Sequence, residues 1–258
     1  MALFAQKNLQ KSPILLRAVS WALNLKGIVM TLTELEVLAS EKLANNDEES
    51  RADFLRLLNA GLLITVIDNL SGSQRELEDV ACRSYCHNNG FLKILLVDKR
   101  PKYSIRLHIW PQHSFQECDV HNHPWDMSGL VLNGSYEWPI YSFGQTQEKR
   151  KCVDMYECRY LEDYSGHSFH KQGKVLLKQV DTLSFQRGDI FQLPQRRYHS
   201  VRKENAEHAE SIVITGDSEV LSADIITNRE MSCNSVLNNT PLDSSFLKEK
   251  LVSFIGRR

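Results

Sequence analysis

Residues 120–138 read VHNHPWDMSGLVLNGSYEW, and this segment carries the strongest indication of the fold. His121 and His123 are two positions apart, and such positions on a strand point to the same side of a sheet. Two imidazoles on one pleated face can share a metal ion. A third imidazole, His199, closes the segment GDIFQLPQRRYHSV at residues 188–201. From a neighbouring strand it would complete a face of three nitrogens and leave coordination positions open, as catalytic sites require.

Short strands surround these histidines. Tyr103–Trp110 alternates between an apolar set and a second set that contains Arg106 and His108. More segments of strand length follow to about residue 215, separated by turn residues such as Asn133-Gly134 and Gly188. Many short strands at close spacing favour a sandwich or a barrel.

The chain before these strands carries helical signals instead. Thr31 and Glu34 have the spacing of a capping box, as do Ser73 and Glu76. Gly90 after two asparagines predicts the end of the third helix. The sequence thus predicts a helical region over residues 1–90, a strand-rich barrel or sandwich over residues 91–225, and a tail with one helix over residues 226–258.

Composition narrows the classes of function. The 258 residues include 31 Lys plus Arg and 32 Asp plus Glu, a net charge of −1 that gives no global reason to expect a nucleic-acid partner. The 6 cysteines form no Cys-x-x-Cys, and no secretory signal precedes them. We therefore expect free thiols in a reducing compartment, the cytoplasm.

The first 33 residues are basic and contain no acid. Their apolar runs are too short for a membrane span of about 20 residues, so we expect no transmembrane segment. A helix packed on the domain and a basic segment that touches a membrane surface both stay open. Met30 as an internal start and a homodimer also stay open.

The spacing around the first two histidines resembles the metal-binding cupins. Their first motif places a His-x-His before a Glu and then a Gly. Here Met127 stands at the Glu position, Gly134 is in register, and the leading Gly is missing at Phe115.

The second cupin motif is matched in part as well. Gly188, Pro194 and His199 stand at its spacing, while Arg196 and Lys203 replace its Gly and Asn. The resemblance covers roughly residues 91–220. It implies a mainly β fold, a cupin-like antiparallel barrel or jelly roll, to which the chain adds an N-terminal helical appendage and a C-terminal helix.

Met127 in place of the Glu leaves a site of three histidines. This resembles the thiol dioxygenases, a cupin branch that holds ferrous iron with three histidines and no carboxylate. The local string is also similar to the first motif of the plant cysteine oxidase and cysteamine dioxygenase group. The resemblance implies an iron dioxygenase for a small substrate that bears a carboxylate or a thiol. A cupin isomerase, lyase or hydrolase with Zn, Mn or Ni stays open, and so does a non-catalytic cupin that binds or senses.

Arg106 is the strongest candidate for binding substrate. A guanidinium on the inner side of a barrel needs a partner, because an unpaired buried charge is costly. A substrate carboxylate would fit its bidentate fork. An ion pair inside the protein with Asp126 or Glu137 is the alternative. Gln192, before the third histidine, is predicted to reach the same site and to hydrogen-bond substrate.

The remaining candidates concern the wall of the site and its periphery. Asp126 lies three residues past His123. It could bind the metal, orient a ligand histidine or serve as a turn residue, and the sequence leaves all three open. The residues predicted to line the pocket are His108, Tyr136 and Trp138.

Overall fold

The structure is a computed structural model that describes residues 30–111, 117–144, 152–203, 208–218 and 220–258. Most of the basic segment at residues 1–33 lies outside these residues. Helices begin and end the described chain. They are α1 Leu32–Lys42, α2 Glu48–Leu57, α3 Leu63–Gly72, α4 Gln74–Arg83 and α5 Ser244–Gly256, and the π-helical turn Leu58–Leu62 joins α2 to α3.

The helix starts follow the predicted capping residues. Thr31 forms a complete capping box with Glu34 at the start of α1, and Ser73 accepts the Glu76 amide at the start of α4. The predicted end of the third helix at Gly90 is wrong. The helix ends at Arg83, because the Ser84 hydroxyl accepts the Leu95 amide at 3.0 Å and the chain then pairs as a strand.

Between the helices, the described chain contains twelve strands. They are β1 Tyr85–Cys86, β2 Leu92–Lys99, β3 Tyr103–Trp110, β4 Val120–His121, β5 Met127–Asn133, β6 Ser135–Phe143, β7 Cys152–Tyr160, β8 Gly166–Gln186, β9 Ile190–Leu193, β10 Ala209–Thr215, β11 Ser222–Thr227 and β12 Leu237–Asn238.

These strands form two antiparallel sheets. The first has the order β1-β2-β3-β10-β5-β9, and the second has the order β12-β8-β7-β11-β4, with β6 paired to β8. The long strand β8 pairs with β7 along its first part and with β6 along its second. The segment around His199 lies between β4 and β6 and is joined to each by an antiparallel bridge. The predicted mainly β, antiparallel, cupin-like architecture is confirmed.

The two faces of the first sheet have different roles. Along β3, Ile105, Leu107 and Ile109 pack with the helices in one large apolar core. The alternate residues Arg106 and Trp110 face a cavity between the sheets. The helices therefore share a core with the first sheet, and they leave its other face free to build a site.

One helical run, Glu48–Gly72, is long and apolar enough by length and composition to cross a membrane. Half of its most apolar stretch is buried inside the protein. Gly61 interrupts the run with a φ of 114°, and Phe54, Leu55 and Ile67 belong to the core shared with the first sheet. These contacts are those of a core helix.

Candidate metal centre

The structure brings His121, His123 and His199 together. One candidate ligand atom from each lies within 4.8 Å of the other two. The ring centroids are 4.5 to 5.2 Å apart. The backbones of His121 and His199 exchange two hydrogen bonds of 2.9 Å, so neighbouring strand segments carry the two rings. The predicted group of three histidines is present in the folded chain.

The protonation of these rings suits metal binding. Nδ1 of His121 donates to the Asp119 carbonyl at 2.8 Å, and Nδ1 of His199 donates to the Arg197 carbonyl at 3.1 Å. A carbonyl only accepts, so Nε2 of each ring keeps its lone pair. Burial lowers the pKa of His121 and holds the pKa of His123 and His199 well below the usual value. The three imidazoles are therefore neutral at neutral pH and fit a divalent metal.

Asp224 fixes both segments that carry the histidines, and the sequence reasoning missed it. The Asn122 amide donates to its carboxylate at 2.8 Å, and the Tyr198 hydroxyl donates to the same oxygen at 2.6 Å. Asn122 lies between His121 and His123, and Tyr198 precedes His199. No spacing in the sequence signals this role, because Asp224 is 102 residues from Asn122.

Replacing Asp224 by alanine should weaken metal binding by about 10- to 100-fold, as is usual for loss of a group that orients ligands. The fold should persist, because the backbone ladders of β11 do not use the side chain. Competition with a chromophoric chelator measures the affinity. Asp154→Ala, on the neighbouring strand β7, is the control. Equal affinity in wild type and Asp224→Ala would show that the ligands need no such anchor.

The histidines line a cavity of about 80 Å³ with walls that are mostly aromatic. Trp138 lies 5.2 Å from the His199 ring, and Trp125 stacks at 6.0 Å on His123. Met127, at the position where cupins carry their Glu, is a buried part of the same wall. No carboxylate of the described chain lines this cavity. The space holds several waters or a small organic molecule.

Arg106 faces this cavity and is 2% exposed. Its Nε donates to the Ser104 hydroxyl at 2.7 Å, its guanidinium lies 4.7 Å from the Trp125 ring, and its Nη2 has no hydrogen-bond partner. Burial lowers its pKa to about 10, so the group stays charged at neutral pH. The alternative of an internal ion pair is not realised, since Glu137 pairs with Arg202 and Asp126 accepts the Gln195 amide.

The structure places the other predicted residues on both sides of the sheet. His108, Tyr136 and Trp138 line the cavity as predicted. Gln192 does not, and its Nε2 instead approaches the Glu48 carbonyl at 3.4 Å. The reason is strand alternation: Phe191 faces the cavity, so its neighbour Gln192 faces the helices. The prediction that Gln192 reaches the site is wrong.

Asp126 also lies outside the histidine group. Its carboxylate accepts the Gln195 backbone amide at 2.6 Å, and its carbonyl accepts the Gly216 amide at 2.7 Å. It thereby holds the turn that leads to His199. Of the three interpretations that the sequence left open, the structure favours a residue that fixes a turn.

Gly129 makes room for the cavity wall. A Cβ at this position would meet three ring carbons of Phe191 at 2.8 Å or closer. Gly129→Ala should therefore lower the free energy of unfolding by about 1–3 kcal/mol, the usual cost of overpacking. Adding Phe191→Leu should recover part of the loss, and denaturant melts measure both. Gly72→Ala is the control, since a Cβ added at Gly72 would have no other atom within 4 Å. An unchanged melt of Gly129→Ala would contradict the close packing.

Comparisons with known proteins give distant structural similarities only. No protein-family model and no curated protein matches the chain. Among solved structures it is similar to the Schizosaccharomyces pombe Cnp3 cupin domain, at 12% identity and a TM-score of 0.32, over 50% of this chain and 61% of that one. It is also similar to hydroquinone 1,2-dioxygenase from Sphingomonas, at 12% identity and a TM-score of 0.29, over 50% of this chain and 66% of that one.

A third similar structure is oxalate decarboxylase from Lactobacillus farciminis, at 11% identity and a TM-score of 0.31, over 53% of this chain and 31% of that one. The chain thus spans less than two thirds of the length of each. These likenesses concern the fold alone. The chain has a cupin-like fold whose own strands place three histidines where they can hold a divalent metal.

Proposed function

We propose that the protein is a mononuclear non-haem iron dioxygenase for a small substrate that bears a carboxylate or a thiol. One observation carries the proposal: three neutral imidazoles and a charged guanidinium that has no acidic partner among the described residues face the same cavity. The first feature suits a divalent metal, and the second suits an anion beside it.

The roles follow from the positions of the side chains. His121, His123 and His199 would hold Fe²⁺ and leave the remaining coordination positions free. Bound ferrous iron would supply the redox chemistry that reaction with dioxygen needs. Arg106 binds and orients the substrate carboxylate, with its own position fixed by Ser104 and Trp125. The buried rings of Tyr136 and Trp138 keep bulk water away from the reacting atoms.

Met127 supports the assignment to the branch without a carboxylate ligand. With a thioether at this position, a metal held by His121, His123 and His199 would have neutral protein ligands only, so the site would keep the full charge of the ion. Such a site favours anionic substrates through charge as well as through coordination. The resemblance to thiol dioxygenases implies the same ligand set, three histidines without a carboxylate.

The second candidate is a cupin isomerase, lyase or hydrolase that uses Zn, Mn or Ni. Lewis-acid chemistry of this kind needs an acid–base group in the cavity. His108 meets that need, since it lines the cavity and burial holds its pKa well below the usual value, which leaves it neutral. Metal identity and oxygen consumption separate the two candidates.

The test is metal analysis of the full chain purified without chelator, followed by oxygen-electrode assays. We expect iron near one per chain, and oxygen uptake when small thiols or amino acids that bear a carboxylate are added to the iron-loaded protein. Zinc, manganese or nickel at full occupancy without oxygen uptake would favour the second candidate. A metal-free protein that binds no metal on addition would favour a non-catalytic module.

A further inference from the structure

A second buried cation faces the same cavity as Arg106. Lys93 lies on β2 opposite His108 of β3, and Arg106 is opposite Leu95, so Lys93 and Arg106 are diagonal neighbours on one face of the first sheet. Diagonal neighbours in such a pair lie about 7–8 Å apart at the backbone. Lys93 is only 7% exposed, and it lines the cavity together with the histidines.

Lys93 has no carboxylate partner among the described residues. Its Nζ donates to the Tyr85 hydroxyl at 2.9 Å and lies 5.2 Å from that ring, and both contacts are with a neutral group. Two acids around it are engaged elsewhere: Asp98 pairs with Arg100, and Asp119, which lines an adjoining cavity together with Lys93, pairs with Arg229. Among the described residues, Arg106 and Lys93 thus share one small cavity without a carboxylate partner for either and without an acid in its lining.

Such an arrangement is costly in the empty protein. Burial of Lys93 and the charge of Arg106 nearby hold the pKa of Lys93 well below its usual value. This lowered pKa reflects the cost of placing a second positive charge in the cavity. Two negative groups that enter the cavity would offset it, one for each cation. A substrate with a single carboxylate would neutralise only Arg106 and leave the ammonium unpaired.

We propose that the substrate is a short dianion with two acidic groups, one bound by Arg106 beside the metal site and the other by Lys93. This inference rests on the proposed function, because it places the substrate in the cavity of the three histidines. A second cavity, of about 90 Å³, adjoins the first, and Lys93 lines both whereas Arg106 lines only the first. The group held by Lys93 therefore lies at the junction, where a longer substrate can extend.

The test compares acids that differ by one charge. Succinate and butyrate are titrated calorimetrically into the full chain, both without added metal and in the presence of Zn²⁺. We expect succinate to bind at least about tenfold more tightly, since its second carboxylate accepts a charge-assisted hydrogen bond from Lys93 that butyrate lacks. Equal affinity for the two acids in the wild type overturns the proposal without any variant.

Variants assign the preference to Lys93. Lys93→Gln keeps a donor for Tyr85 and removes the charge, so it should lose the preference for succinate by weakening succinate alone. Lys93→Arg should retain the preference. Lys102→Gln removes an exposed lysine of the same hairpin and should change nothing. An unchanged ratio of the two affinities in Lys93→Gln overturns the role of Lys93.

Calorimetry keeps this inference separate from the proposed reaction. If the protein prefers succinate through Lys93 but binds no iron and consumes no oxygen, the proposed dianion site is supported and the proposed dioxygenase activity is wrong. If it binds iron and consumes oxygen but treats succinate and butyrate alike, the reverse holds.

Discussion

Replacing His199 by alanine is expected to weaken divalent metal binding by more than about 100-fold while the chain stays folded. Loss of a group that merely orients a ligand costs about 10- to 100-fold, and loss of one of three ligands costs more. The fold should persist because the hydrogen bonds between His199 and His121 come from the backbone and survive the substitution. Metal per chain after gel filtration measures the loss, and circular dichroism measures the fold.

His170→Ala is the matched control for this variant. His170 lies on β8, is partly exposed and contacts Ser168, and it does not belong to the histidine group. It should keep the wild-type metal content. Full metal content in His199→Ala, or an equal loss in both variants, would contradict a centre built from these three imidazoles.

The sequence predicted the part of this site that depends on local periodicity. His121 and His123 are two positions apart on an extended segment, so their side chains point to the same side of the sheet. The alternation of β3 placed Arg106 and His108 together for the same reason. Strand spacing could not tell a barrel from a sandwich, and the motif around His199 supplied that step.

The residues that the sequence misplaced depend on long-range register. Gln192 was expected in the cavity because it is near His199 in the chain, but the phase of β9 turns it toward α2. Lys93 and Asp224 were missed for the converse reason. Asp224 reaches the site through pairing with a distant strand, against Asn122. Lys93 lies opposite His108 only because a bulge between Leu95 and Val97 shifts the register of the β2–β3 hairpin. Such pairings are set by the whole sheet and leave no mark in local spacing.

The same reasoning explains the helical region. Capping residues at Thr31 and Ser73 act within one turn, and both were predicted. The end of α4 at Arg83 depends on Ser84, which binds a strand 11 residues away. β1 then begins where the local pattern favoured more helix. Tyr85 of β1 is the hydrogen-bond partner of Lys93. Because the sequence predicted helix at this position, it did not indicate this wall of the site.

Replacing Arg106 by methionine should weaken the binding of small carboxylates by about 2–5 kcal/mol, which is roughly 30- to 4000-fold. Methionine keeps an apolar contact with Trp125 but removes the charge that would hold a carboxylate. Metal content should not change, since Arg106 is not a ligand. The free energy of unfolding without ligand should stay constant or rise, because an apolar residue replaces a buried charge that has no counter-ion in the described part of the chain.

A loss of carboxylate affinity together with an unchanged or higher free energy of unfolding distinguishes a substrate-binding role of Arg106 from a structural one. A structural arginine would lower stability when it is removed, whereas a binding arginine lowers affinity and leaves or improves stability. Calorimetry with butyrate and a denaturant melt measure the two quantities on the same preparation. Gln192→Ala is the control, since its side chain faces the helices and should leave butyrate affinity unchanged. Wild-type affinity in Arg106→Met, or loss of its metal, would show that Arg106 serves the fold and does not bind substrate.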